Sequence, residues 1–141
     1  MFSELLKRLS DLSDQVRDTA YEEIGDLLAA GPWDDAAVAA VKALAQQVST
    51  EQNAVALESL LNALVRASSR GEDVPTRYYD PLVSSIPNLP GHLLPYAFEI
   101  LAQTHDRRFE PILAQYTSDP SPGIREAAQE ALVELKGPGS G

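Results

Sequence analysis

Residues 118–135 read SDPSPGIREAAQEALVEL, and residues 10–27 read SDLSDQVRDTAYEEIGDL. Laid over one another at a shift of 108, the two stretches are identical at seven of 18 positions. Four further pairs conserve character: Val16 with Ile124, Asp18 with Glu126, Ile24 with Leu132 and Asp26 with Glu134. In both stretches apolar side chains fall at i, i+4, i+8 and i+11, the spacing that gathers them on one face of a helix. A helix of this pattern at each end of one chain suggests a repeat, and two weaker copies lie between them. A shift of 77 places Leu93, Ala97 and Leu101 on Val16, Ala20 and Ile24, and a shift near 40 places Leu60 and Leu64 on Ala20 and Ile24. The implied periods of about 40, 37 and 31 residues suit a unit of two helices and their turns.

Each repeating helix needs a preceding partner, because a lone pair leaves an apolar face that only stacking buries. First helices are expected near 2–9, 34–48, 77–86 and 107–117, and second helices near 13–30, 51–69, 91–104 and 121–136. Local punctuation sets the boundaries. Ser121-Pro122 reads as an N-cap followed by proline at the first helical position, Gly31-Pro32 ends the first long helix, and Asp34 caps the next, with Trp33 available to pack on Val38. Five prolines, at 75, 81, 87, 90 and 95, must shorten or kink the third pair. The expected organisation is one repeat domain over 1–136, in units of about 2–30, 34–69, 77–104 and 107–136, followed by a flexible tail over 137–141 whose Gly-Pro-Gly-Ser-Gly reads as a possible cloning scar.

The stretch from Arg107 to Leu113, the turn Ser118-Asp119-Pro120-Ser121-Pro122, the pair Ile124-Arg125 and the alanines 127, 128 and 131 resemble a HEAT repeat. That family has an apolar first helix, an Asp-Pro-type turn, a Val/Ile-Arg pair and an Ala-rich second helix. The resemblance extends clearly to 10–28; over 34–69 and 77–104 it rests mainly on period, the turn Asp and the Arg pair being missing there. It implies an all-α fold, a right-handed α-α superhelix of about four helix pairs, with second helices lining the concave face and protein binding as the commonest role. The family also includes scaffold parts of enzymes, bilin lyase subunits and DNA-repair glycosylases.

Composition agrees with helix: Ala and Leu dominate the apolar residues, while β-branched and aromatic residues are sparse. The chain carries 21 acidic and 11 basic side chains, a formal charge of −10. Nine acids and three bases fall within residues 1–35, so the acidity is concentrated there. Such a chain repels nucleic acid and anionic membranes and favours encounter with a basic protein surface. Without cysteine there is no disulfide framework or thiolate chemistry. No apolar stretch approaches the ~20 residues of a membrane span, and the N-terminus does not read as a secretory signal, so cytoplasmic residence is expected.

The sharpest candidate site is acidic. Asp14, Asp18, Glu22 and Asp26 lie four residues apart along one helix, where like charges repel by a few tenths of a kcal/mol per pair. The shift of 108 carries Asp18, Glu22 and Asp26 onto Glu126, Glu130 and Glu134; the shift of 77 carries Glu22 onto Glu99; the shift near 40 carries Asp18 and Glu22 onto Glu58 and Asn62. Glu22, Asn62, Glu99 and Glu130 would then form a row across neighbouring second helices, an acidic trough for a basic partner. The competing reading is the solvated polar face of any amphipathic helix. Tyr78, Tyr79, His92, Tyr96 and Phe98 form an aromatic middle that reads either as core or as interface anchors, and Trp33 is open in the same way. Arg17 and Arg125, each following a β-branched core residue, are expected to reach the turn Asp before their helix or an Asp of a neighbouring repeat.

Catalysis has little support. His92 and His105 have no metal-ligand spacing beyond the neighbouring Asp106, and no phosphate loop or nucleophile motif is present. The function expected is a non-enzymatic protein-binding module without a cofactor. Its narrowest form is a bacterial immunity protein or antitoxin masking a toxin domain through the acidic face. The alternative is a HEAT-like adaptor or scaffold subunit of a larger complex. A partnerless repeat and a cofactor-handling bilin lyase component rank below both.

Overall fold

A computed structural model describes residues 1–70 and 73–137. Eight α-helices form four consecutive pairs, and no strand occurs among the described residues: α1 Phe2–Lys7 with α2 Asp14–Ala30, α3 Asp35–Gln47 with α4 Ala54–Ser68, α5 Asp80–Ser85 with α6 Leu94–Gln103, and α7 Glu110–Gln115 with α8 Pro122–Lys136. The fold is an all-α helical repeat. The second helices stack in sequence, α2 on α4, α4 on α6 and α6 on α8. The first helices make a second layer, α1 on α3 and α3 on α5, while α7 packs on α8. Tyr21, Ile24, Leu44, Leu60, Leu64, Leu82, Phe98, Ile100 and Phe109 are fully enclosed in the core that the two layers share.

Side chains set the helix starts. Ser13, Asp34 and Asn53 accept from the backbone N–H of Val16, Ala37 and Ala56, satisfying amides that the first turn leaves orphaned. Ser121 occupies the corresponding place before α8, but its side chain makes no capping bond. Pro122 at the first helical position removes one of the donors, and Asp119 instead holds the turn by accepting from the Ser121 N–H at 3.0 Å.

The prolines of the third pair act mostly at its margins. Pro81 and Pro95 sit in the first turns of α5 and α6, where a missing N–H is tolerated. Pro87 lies in the 3-10 turn Ile86–Asn88 that ends this segment. The result is a first helix of 6 residues, flanked by 3-10 turns Thr76–Tyr79 and Ile86–Asn88, and a second helix of 10 residues.

Ala20 on α2, Ala97 on α6 and Ala128 on α8 are fully buried. Gly25 is a close contact: a Cβ there would lie 3.1 Å from the Ala63 Cβ and 3.3 Å from the Ala63 Cα, so it lets α2 and α4 approach backbone to backbone. Gly31 ends α2 with its N–H donating to the Leu27 carbonyl at 2.7 Å, and a Cβ there would lie 2.6 Å from that oxygen. Its φ of −84° is ordinary, so steric space and not a left-handed conformation selects glycine here. Of the tail expected over 137–141, only Gly137 lies within the described residues; 138–141 lie outside them.

Candidate functional site

The groove is built from the turn upward. Arg17 does not reach the carboxylate of the turn Asp; its Nη1 donates to the Asp11 backbone carbonyl at 2.8 Å. Arg125 repeats this at the far end, donating to the Asp119 and Pro120 carbonyls at 2.9 and 3.1 Å. The turn carboxylates are occupied elsewhere, Asp11 accepting from the Ser13 N–H at 2.8 Å and Asp119 from that of Ser121. Both arginines therefore tie the turn to its helix, through the backbone carbonyl of the turn Asp and not through its carboxylate.

Arg17 also crosses to the next pair. Its Nε and Nη2 make a two-pronged bond to the Glu51 carboxylate at 2.8 and 2.9 Å, and the Tyr21 hydroxyl donates to the same carboxylate at 2.7 Å. Glu51 is 7% exposed. Burial alone would raise its pKa, but the Arg17 guanidinium, the Tyr21 hydroxyl and the Asn53 N–H outweigh that and hold it at about 2. The Arg17 guanidinium is held above its ordinary pKa, first by its bond to Glu51. The Tyr21 hydroxyl is raised, first by burial and then by the adjoining carboxylate. This cluster fixes α2 against the start of α4 and sets the register of the surface beyond it.

That surface carries two grooves. The first, of about 520 Å³, runs between α2 and α4 and is lined by Glu22, Asp26, Glu58, Asn62 and Arg66, with Gly25 and Ala63 at its floor and Tyr96 at its side. The second, of about 440 Å³, runs between α6 and α8 and is lined by Glu99, Gln103, Glu130 and Glu134, with Pro95 and Ala131. The Tyr96 hydroxyl donates to Glu58 at 3.2 Å, which ties α6 to α4 beside the first groove. Burial first, and then this carboxylate, raises the Tyr96 pKa.

Glu22 and Asn62 thus share one groove, and Glu99 and Glu130 share the other. All four are exposed. The remaining acids differ. Glu58 and Asp26 belong to the first groove, but Asp26 is paired with Arg66 at 2.8 Å. Asp14 is drawn into the turn, bonded to Arg17 and accepting from the Asn53 amide at 3.0 Å. Asp18 is half-buried, and one of its oxygens is enclosed with no donor. Glu126 is exposed and lines neither groove.

The surface is therefore not an unbroken acidic trough. Arg66 interrupts it, at the position that the shift of 40 places on Asp26. The same shift places Glu51 on Asp11, and Glu51 does what Asp11 does, accepting from the N–H two residues on at 3.0 Å. Residue identity at this shift hides both relations, because Glu51 is not an Asp and Arg66 reverses the charge of Asp26.

The aromatic residues divide. Tyr79 and Phe98 are core, Tyr96 borders the first groove, Tyr78 is half-buried and His92 is exposed. Burial pushes the Tyr79 hydroxyl up to about 12. Trp33 packs against the core beneath the Arg70 guanidinium, 5.5 Å from the ring centre, and its indole N–H is enclosed without an acceptor among the described residues. Arg70 in turn donates to the Leu28 and Gly31 carbonyls and so closes the end of α2. His105 and Asp106 point apart: the His105 ring meets the Leu135 carbonyl at 3.3 Å, while Asp106 accepts from Thr76 and from the Arg108 N–H. Bonding to that Arg108 N–H, with Thr76, lowers the Asp106 pKa. Among the described residues no three His, Asp or Glu side chains gather as metal ligands, and no helix is long and apolar enough to cross a membrane.

Stacked helix pairs with grooved, solvent-facing second helices define a helical repeat of the kind that commonly binds other proteins. Residues 1–24 match a family described as a HEAT repeat associated with sister chromatid cohesion. The match spans α1 and the first part of α2, and with the four-pair architecture it fits a HEAT-like repeat. No curated protein matches the chain.

Proposed function

We propose that this protein is a non-enzymatic interaction scaffold that holds a partner protein against its second-helix face. The observation carrying this reading is the pair of parallel grooves on one face, each lined by carboxylates from two successive second helices. Glu22, Glu58, Asn62, Glu99 and Glu130 are the residues that would meet the partner, with Asp26 and Glu126 at the margins. Glu22, Glu99 and Glu130 have no cationic partner among the described residues, so they do not serve the stability of their own helices. A basic surface docked there would neutralise them, and steering by the net charge of −10 would quicken the encounter. The Asp26–Arg66 pair gives the first groove a mixed character that favours a partner carrying a carboxylate among its cations. The role of adaptor or scaffold subunit fits a HEAT-like repeat without further assumption. The narrower role of toxin-masking immunity protein rests on acidity alone, and protection of cells from a toxin would be its own distinct sign.

The test is affinity purification from cells of origin with the wild-type chain and the Glu22→Lys/Glu99→Lys variant in parallel. The reading expects a defined set of proteins that the wild type retains, that ~0.5 M salt releases, and that the variant loses while its melting temperature holds. Identical sets for the two proteins would remove the second-helix face from consideration.

A further inference from the structure

The cations of this acidic protein are almost all spoken for. Of its 11 lysines and arginines, nine reach a carboxylate or a backbone carbonyl. Lys42 and Arg77 are the two that do not, among the described residues, and they meet at one place. The Lys42 Nζ lies 5.2 Å from the centre of the Tyr78 ring, and the Arg77 guanidinium carbon lies 5.3 Å from the same centre. With Gln46 and Pro81 these three residues line a cleft of about 210 Å³ between α3 and the 3-10 turn Thr76–Tyr79 that leads into α5. The cleft belongs to the first-helix layer, whereas both acidic grooves belong to the second-helix layer.

We infer that this cleft is a second docking point, which receives a carboxylate side chain from an acidic segment of a protein partner. Contact with an aromatic face attracts an exposed cation only weakly and leaves its charge intact. Two like charges drawn to one ring repel each other, and a carboxylate in the cleft that both line relieves that repulsion. The ring and Pro81 offer an apolar wall for the methylenes of a Glu, and Gln46 supplies an amide beside it. Size sets the occupant. Small-molecule sites run to roughly 300–1,000 Å³, and this cleft is smaller, so it suits one side chain of a larger partner. A long polyanion such as nucleic acid would meet the net charge of −10 beyond the cleft. At physiological salt, screening over about 8 Å lets a short acidic segment ignore the opposite face. A scaffold with an acid-lined face and a cationic cleft in its other layer can bridge two partners of opposite charge.

The probe is a capped hexaglutamate peptide, titrated into the full-length protein at ~0.15 M salt and followed by amide NMR. Saturable shifts are expected at Lys42, Gln46, Arg77 and Tyr78. Lys42→Gln/Arg77→Gln should weaken binding by at least about tenfold and either single change by about threefold. Glu22→Lys/Glu99→Lys should leave these shifts in place, which separates this cleft from the second-helix face. All the altered side chains are exposed, so melting temperatures should hold. The inference is overturned if hexaglutamate gives no saturable shift, if the double variant binds it as the wild type does, or if inorganic phosphate shifts these amides and the peptide does not.

Discussion

Glu51 shows how far a single buried charge organises this protein. Its carboxylate accepts from Arg17, from Tyr21 and from the Asn53 N–H, so two helix pairs meet on one fully enclosed side chain. Removing one partner of such a cluster leaves the others without compensation. Glu51→Ala should therefore destabilise the fold by about 3 kcal/mol, lowering the melting temperature by roughly 10 °C for a chain of this size. The pH dependence has a definite sign. The folded-state pKa of Glu51 is depressed from an ordinary value of 4.5 to about 2, so its stabilisation is fully present above about pH 4.5 and is lost as pH falls toward 2. Urea unfolding measured from pH 5 to pH 2 should be steeper in pH for the wild type than for Glu51→Gln. Parallel curves would show that Glu51 is not the group being titrated.

At the level of elements, the helices were legible and the reasons for their closeness were less so. The second helices expected at 13–30, 51–69, 91–104 and 121–136 are found at Asp14–Ala30, Ala54–Ser68, Leu94–Gln103 and Pro122–Lys136. Period and caps carry that information, because both are written in local sequence. The helix contact at Gly25 is not, since it depends on Ala63 lying opposite, and the pairing of Arg66 with Asp26 is likewise a relation between two helices. Glu51 is not legible from an Asp-type turn motif, although its longer side chain reaches the same N–H. The glycines turn this into a prediction. Gly25→Leu must push α2 from α4 and should cost about 1–3 kcal/mol. Gly123, in the first turn of α8, has nothing within 4 Å of its missing Cβ, and Gly123→Ala should stabilise by about 0.5–1 kcal/mol. Thermal melts of both variants decide it; a neutral Gly25→Leu would mean that the α2–α4 contact is looser than this packing implies.

For the whole molecule, the layered arrangement separates stability from recognition. The core and the Arg17–Glu51 cluster join successive pairs from within, and the second-helix surface is left free to carry mutually repelling carboxylates. The shifts of 40, 77 and 108 put Glu22, Asn62, Glu99 and Glu130 in one row, whereas the structure divides them between two grooves, Glu22 with Asn62 and Glu99 with Glu130. What they missed is chemistry that alternates along the row, Arg66 in place of an acid and Asp14 withdrawn into a turn. Whether partners engage this face is decided by a photo-crosslinking amino acid placed at one position at a time. Introduced in the full-length chain in cells at Asn62 or Glu130, in the grooves, or at Ala39, an exposed position on α3, the probe should capture the same partner from Asn62 and Glu130 and not from Ala39. Capture from Ala39 with none from Asn62 or Glu130 would contradict the account.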